Sequence, residues 1–324
     1  MTRVLDVHEL RISFTAPDGR RFHPVDGVSF SLERGETLAL VGESGSGKSL
    51  TSLALLRLVP PPGRIDPSSV IRLGDTDVMA LEGEALRRIR GRRIGMIFQD
   101  PMTSLNPVFT VGDQIVEGIR AHLPMSKADA RERARALLQE VGLPDPGDRL
   151  DAYPHQLSGG MRQRVMIAIA LSAEPEILVA DEPTTALDVT VQAQILEVLD
   201  QLRRRRGMAI LLITHDLGIV AGRADRVAVM YAGQIVEEAA TAELFARPSH
   251  PYTQGLFASV PRISGPIQRL TPIGGTVPPA SAWPSGCRFR PRCPQAFEKS
   301  EREPELLPVG PGHRMRCWLA EEAR

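Results

Sequence analysis

The sequence predicts an α/β fold: parallel strands and helices around a glycine-rich loop, with an antiparallel β subdomain, a helical insertion and a small Pro-rich C-terminal extension. Four observations carry that prediction. Gly42-Glu43-Ser44-Gly45-Ser46-Gly47-Lys48-Ser49 matches the phosphate-loop pattern G-x-x-x-x-G-K-[ST] at every fixed position. It lies between an apolar run, Thr37-Leu38-Ala39-Leu40-Val41, and a leucine-rich, helix-compatible stretch from Leu50 to Leu58. Two more apolar runs, ending in Asp181-Glu182 and His215-Asp216, read as strands buried on both faces of a parallel sheet. Finally, thirteen of the 27 prolines fall after residue 247.

The totals set the outer limits. A chain of 324 residues has room for one large domain and a small one. Its 42% apolar and 24% charged residues are ordinary for a soluble globular protein. Of 39 basic residues only Lys48, Lys127 and Lys299 are lysines, a bias toward arginine rather than a basic patch. Zero net charge gives no support to nucleic-acid binding. The opening residues lack an apolar signal core, which predicts no secretion. The longest apolar stretch, around Val165 to Ala173, is about half the ~18 residues of a membrane span. Three cysteines, all near the C-terminus, argue against a disulfide framework. These features predict a cytosolic protein whose membrane work would need partners.

Residues 4–41 alternate apolar and polar, as antiparallel strands do, and Asp18-Gly19 predicts a hairpin turn between them. Phe14 or Phe22 would either stack on a nucleotide base or serve as a core aromatic. Within the glycine-rich loop, successive N–H groups and the following helix N-terminus supply positive potential to phosphates. Lys48 would reach the β- and γ-phosphates and Ser49 would hold Mg²⁺, with the nucleotide-contacting stretch running from Gly42 to Leu50. This motif in this context predicts nucleoside triphosphate binding.

The next strand-like run, Ile94-Gly95-Met96-Ile97-Phe98, ends at Gln99, which alone reads as a polar loop residue. From Ser126, an expected N-cap, Ala130, Ala134, Leu137, Leu138 and Val141 fall at helical spacing and Gly142 closes the helix. Arg131, Glu132, Arg133 and Arg135 make its solvated face. A helical insertion is therefore expected at about residues 103–165. Leu157-Ser158-Gly159-Gly160-Met161-Arg162-Gln163-Arg164 predicts a helix start, either a simple cap or an anion site of exposed amides. Strand-end acids beside a phosphate loop suit two tasks: Asp181 would order the Mg²⁺ shell, and Glu182 would polarise the attacking water as general base. The alternative is a surface Asp-Glu pair. His215 is either structural or a contact to the γ-phosphate that holds the water. The remaining histidines read as structural. After Leu244-Phe245 the prolines predict short helices and strands, and Trp283 and Trp318 indicate that this tail folds. The expected domains are 1–246 and 247–324.

Taken together, the order of motifs resembles the ATP-binding subunits of ABC transporters. The phosphate loop, Gln99, the signature Leu157–Gln163, Asp181-Glu182, Ala186-Leu187-Asp188 and His215 all occupy the family's positions. The run Phe98–Pro107, the run Glu182–Gln192, His250-Pro251-Tyr252-Thr253 and the tail Gly286–Pro294 resemble the dipeptide/oligopeptide/nickel importer branch, and Met161 its D-type ATPase subunit. The resemblance implies ATP hydrolysis with Mg²⁺ held by Ser49, Gln99 and Asp181. It implies a head-to-tail dimer in which Lys48, Ser49, Gln99, Asp181, Glu182 and His215 face Ser158, Gly159 and Gly160 of the partner subunit. The implied partners are two integral-membrane permeases, a second ABC ATPase (paralogue or self) and an extracytoplasmic solute-binding protein, with no nucleic acid. The implied location is the cytoplasmic face of the plasma membrane. Subunits of this type often hold a [4Fe-4S] cluster on four cysteines; Cys287, Cys293 and Cys317 match, but Ser300 stands at the fourth position. A cluster completed by Ser300, His313 or solvent, three reduced thiols, and structural zinc with His313 are the alternatives. Peptide import is the leading functional expectation, ahead of nickel import and of a soluble, non-transport ABC ATPase. Long coiled coils of repair ATPases have no room here, and the chain has one phosphate loop and one signature.

Overall fold

The computed structural model describes residues 2–185, 187–259 and 272–321. The chain forms two compact units, one of residues 1–5, 32–36 and 72–213, the other of residues 6–31, 37–71 and 214–324.

In the first unit the strands Ile94–Ile97, Ile177–Asp181 and Ala209–Thr214 run parallel, with Ile94 opposite Ile177 and Ile177 opposite Ala209. Every residue of the second and third is buried, which is why they read as unbroken apolar runs. The helix Gly159–Ala170 packs closely enough on the first strand that a Cβ at Gly95 would lie 2.4 Å from the Ala170 carbonyl. Its neighbours start at side-chain caps, of which the sequence predicts Ser126. Ser126 caps Lys127–Glu140 by accepting a hydrogen bond from the Asp129 N–H at 3.1 Å. Ala130, Ala134, Leu137 and Leu138 are that helix's buried face. Thr110 caps Val111–His122 in the same way through the Asp113 N–H. Asp188 caps Val189–Arg206, which ends at Gly207 in the left-handed region.

In the second unit the strands Arg3–Thr15 and Arg21–Glu33 are neighbours in one sheet, joined by a tight turn. The Gly19 N–H donates to the Ala16 carbonyl at 2.9 Å, with Gly19 at φ 82° where Asp18-Gly19 was expected to turn. A second sheet pairs Thr37–Val41 in parallel with Arg226–Tyr231, which turns through Ala232-Gly233 into the antiparallel strand Gln234–Ala240. Both turn residues have positive φ, the signature of a two-residue hairpin. The tail then adds a hairpin of its own: His313–Met315 pairs with Gln234–Ala240, and Leu307–Gly310 with His313–Met315. The rest of the described tail is short 3₁₀ turns and extended chain. Pro261 and Pro266 lie outside the described residues. The tail belongs to this unit's core: Tyr231, Tyr252 and Phe289 form a buried aromatic trio with ring centroids 4.6–5.4 Å apart.

Beside that trio lies a fully buried carboxylate, Glu237. It accepts from the Ser249 N–H at 2.7 Å, the His250 N–H at 2.9 Å and the His313 ring Nε2 at 2.7 Å. Three charge-assisted hydrogen bonds are what a carboxylate needs to remain inside a core. His250 starts the helix Pro251–Ala258, its ring Nδ1 accepting from the Tyr252 N–H at 3.0 Å. Burial pushes the His250 imidazole down to about 3. The unfolded chain takes up a proton at this residue below roughly pH 6.5, whereas the folded chain stays neutral there. Stability contributed by His250 is therefore intact above pH 6.5 and falls as pH drops toward 3, at up to about 1.4 kcal/mol per pH unit. His250→Asn, which retains an acceptor for the Tyr252 N–H, is predicted to flatten the loss of urea midpoint between pH 7 and pH 5. Equal losses in parent and variant would exclude His250 as the source.

Candidate functional site

The phosphate loop of the second unit leads from the strand Thr37–Val41 into the helix Lys48–Leu55. Its path is set by close backbone approaches that only glycine permits. Gly47 sits at φ 104°, and a Cβ there would lie 2.6 Å from the Pro24 carbonyl and 2.8 Å from Met230 Cε. A Cβ at Gly42 would lie 2.1 Å from the Met230 carbonyl. Lys48 is 6% exposed, and its Nζ donates to the carbonyls of Gly42 at 2.8 Å and Glu43 at 2.9 Å. The ammonium is thus held at the centre of the loop. Ser44 and Gly45 are exposed at the loop's crown, Ser46 is buried, and Ser49 and Leu50 are half-buried on the helix. Such a loop is a cradle of backbone donors around one cation, which suits a polyphosphate.

Three other expected residues lie in this unit. His215 is exposed after the strand Ala209–Thr214, and the next residue, Asp216, caps the short helix Leu217–Ala221 through the Gly218 N–H at 2.8 Å. Phe14 stacks on Phe22 with centroids 5.9 Å apart, so the two candidates for a base platform form one half-buried pair.

The acidic residues and the signature lie in the first unit. Asp181 ends its strand 4% exposed. Glu182 follows at φ 46°, a left-handed conformation that costs a non-glycine residue on the order of 1–3 kcal/mol and concentrates at functional sites. Its backbone N–H donates to the Ile213 carbonyl, and its carboxylate accepts from Gln99 Nε2 at 3.0 Å and Thr185 Oγ1 at 2.9 Å. Gln99 and Glu182, 83 residues apart, are brought into direct contact. In the signature, Ser158 caps the helix Gly159–Ala170, its Oγ accepting from the Met161 N–H at 3.4 Å. A Cβ at Gly160 would lie 2.7 Å from Val191 Cγ1, so the small residue lets two helix N-termini approach. Ala186 lies outside the described residues, while Asp188 of the same triplet is the cap of Val189–Arg206.

The tail corrects one expectation. Cys287, Cys293 and Cys317 are free and half-buried, and burial raises all three thiols, Cys317 to about 11. The proposed fourth donors are engaged elsewhere. His313 directs Nε2 at Glu237, 2.7 Å, and Nδ1 toward Glu243, 3.6 Å. Ser300 Oγ accepts from the Phe297 N–H at 3.2 Å. Among the described residues no group of three or more His, Cys, Asp or Glu is placed to hold a metal ion. The donor set therefore does not fit either the iron–sulfur cluster or zinc.

Several contacts were not expected. Thr185 on Glu182, and Tyr252 and Arg292 on Glu43, are side chains whose partners lie far away in sequence or in an unremarked turn. Tyr252 and Arg292 stand inside runs whose only signal was family resemblance. Gly47→Ala is predicted to cost on the order of 2–4 kcal/mol, because the new Cβ meets backbone at an adverse φ. Gly45→Ala, with nothing within 4 Å of its Cβ, should cost less, about 1 kcal/mol. Urea midpoints of the two variants check the order.

Residues 25–185 match the family described as ABC transporter, and residues 236–299 match the C-terminal region of oligopeptide/dipeptide transporters. The chain is 51% identical over 326 residues to the oligopeptide transport ATP-binding protein AppD of Bacillus subtilis, covering 99% of this chain and 98% of the relative. It is 46% identical over 315 residues to the dipeptide transport ATP-binding protein DppD of Escherichia coli, covering 97% and 96%. Among solved structures, a dimeric ATP-binding cassette, MJ0796, bound to ADP and phosphate superposes with a TM-score of 0.65 at 26% identity, over 73% of this chain and 98% of that one.

Proposed function

The chain belongs to the ABC transporter ATP-binding proteins of the dipeptide/oligopeptide branch, and from that premise we propose how its residues act. It is an ATPase that energises peptide import. The observation that carries this reading is identity of about half, sustained over nearly the full length of peptide transport ATP-binding proteins. It favours peptides over nickel and over a non-transport ATPase.

Hydrolysis would proceed as follows. The backbone amides of the loop from Ser44 to Ser49 hold the β- and γ-phosphates, and Lys48 exchanges its loop carbonyls for phosphate oxygens. The hydroxyl of Ser49, the carboxylate of Asp181 and the amide of Gln99 are hard oxygen donors suited to Mg²⁺. Bound Mg²⁺ neutralises charge that builds on the phosphates. Glu182 accepts the proton of the attacking water, with Gln99 and Thr185 orienting its carboxylate. His215 holds the water against the γ-phosphate. The half-buried Phe14–Phe22 pair would supply the platform for the base. In a head-to-tail dimer, Ser158, Gly159 and Gly160 of the partner subunit add the helix N-terminus that completes the phosphate's charge stabilisation. Closure on ATP and release after hydrolysis would drive the permeases. Expected partners are two integral-membrane permeases, a second ABC ATPase and a solute-binding protein. No helix among the described residues is long and apolar enough to cross a membrane, and the proposed place is peripheral, on the cytoplasmic face beside the permeases. The domain reading that accompanies this function is an ATP-binding domain over 1–246 and a transporter-type extension over 247–324.

Glu182→Gln is predicted to keep ATP binding and to lower turnover by at least 100-fold in the assembled complex. Near-parental ATPase would remove the general-base role. For the transport reading, gently solubilised membranes are the test. Co-purification of permeases, a second ATPase and a peptide-loaded binding protein is expected, and recovery of the chain alone or with nickel-loaded protein would overturn it.

A further inference from the structure

The phosphate loop is gripped from outside by the C-terminal tail. Glu43, the second residue of the loop, accepts two contacts from Arg292: Nη1 to Oε2 at 3.1 Å and Nη2 to Oε1 at 3.2 Å. The same residue's backbone N–H donates to the Tyr252 hydroxyl at 3.0 Å. Arg292 is itself locked. Its side chain is 6% exposed, Nε donates to the Gly274 carbonyl at 2.8 Å, and the guanidinium lies over the Tyr231 ring at 5.7 Å. Tyr252 is fully buried, and burial raises its pKa, so the phenol stays neutral as an acceptor for the amide. A two-point arginine–carboxylate pair has a fixed geometry, and here the arginine is buried while Glu43 is 29% exposed, so removing the carboxylate strands the buried cation. Lysine offers a point charge without the fork and cannot replace it fully.

We propose that Arg292, seconded by Tyr252, is a positioning residue for ATP binding: it acts through Glu43 to hold the entrance of the phosphate loop in its phosphate-receiving shape. The Glu43 N–H is engaged by the tail and the Glu43 carbonyl accepts from the Ser46 N–H at 3.3 Å, so the entrance of the loop is tied on both sides of this residue. The tail is on this account a working part of the nucleotide site. The contact lies within the unit that carries the phosphate loop, so the effect is expected on nucleotide affinity and not on the chemical step. The inference rests on the reading of residues 42–49 as the ATP site.

The test uses the full-length subunit, with MgATP affinity measured by fluorescence titration, and the assembled transporter for steady-state kinetics. Arg292→Met is expected to raise the Kd and KM for ATP about tenfold while kcat at saturating ATP stays within about twofold. Arg292→Lys should recover part of the affinity. Glu43→Gln should resemble Arg292→Met, and the double variant should be no worse than the weaker single one, since both remove one contact. Parental affinity in Arg292→Met, or single effects that add in full, would overturn the inference. Should Arg292→Met fail to fold, Glu43→Gln carries the same comparison from the more exposed partner. An unmodified subunit that binds no ATP would instead sink the ATP-site reading, which keeps the two failures distinct.

Discussion

The second unit depends on backbone packed against backbone around the phosphate loop. Gly42 and Gly47 leave no room for a Cβ because the Met230 and Pro24 carbonyls occupy that space. A third glycine closes the arrangement from the other side. The Gly233 N–H donates to the Ser46 carbonyl, and its own carbonyl accepts from the Asp26 N–H, each at 2.9 Å. A two-residue hairpin turn thus clasps the loop to the N-terminal strands. Trp283 from the tail covers the same glycine, where a Cβ would lie 2.3 Å from the ring. The inner side of the loop is filled by peptide groups from two strands and the hairpin turn at Gly233, which fixes its path. A flexible loop would have to spend binding energy on ordering itself; this one is ordered beforehand.

The first unit solves a different problem, the placement of charge at the end of a buried strand. Ile177–Asp181 is buried along its whole length, so the first residue able to project a carboxylate toward solvent is Glu182. It does so by leaving the strand in a left-handed conformation, tied by its N–H to the Ile213 carbonyl of the neighbouring strand. Gln99, at the end of the adjacent strand Ile94–Ile97, then meets it. Parallel register explains the meeting: strands that begin level, with Ile94 opposite Ile177, also end level. Their post-strand residues collect at one edge, where active sites of open α/β sheets form.

What could be read in the sequence was local. The phosphate loop, the unbroken apolar strands, the Ser126 cap and the Asp18-Gly19 turn are each written within a few residues, by period, by turn chemistry or by capping. Gln99 carried no weight alone, because its significance is a contact with Glu182 across 83 residues. Arg292 is a still longer case, 249 residues from Glu43. Composition made it one of 36 arginines, and only the fold distinguishes it. His313 failed in the opposite direction. Near cysteines in sequence, it resembles a metal ligand, yet strand pairing sets Met315 opposite Glu237 and brings His313, two residues before it, to 2.7 Å from that buried carboxylate.

That glutamate explains how the tail is joined. Glu237 lies in the strand beside Arg226–Tyr231, and its burial would be prohibitive without donors. Two of its three donors are the N–H groups of Ser249 and His250, where the tail begins, and the third is His313, near its end. One carboxylate therefore fastens both ends of the tail to the strand that turns back beside the phosphate loop. Arg288 adds a further tie, pairing with Asp26 and donating to the Ala232 carbonyl at 2.6 Å, next to the clasping Gly233. Loss of the tail would remove all three of these donors from Glu237 and would uncover Tyr231, which packs on Tyr252 and Phe289. A boundary drawn from prolines near residue 247 marks a change in local texture. The core that shapes the loop draws on both sides of that point, with Phe289 and Val41 buried in the same cluster.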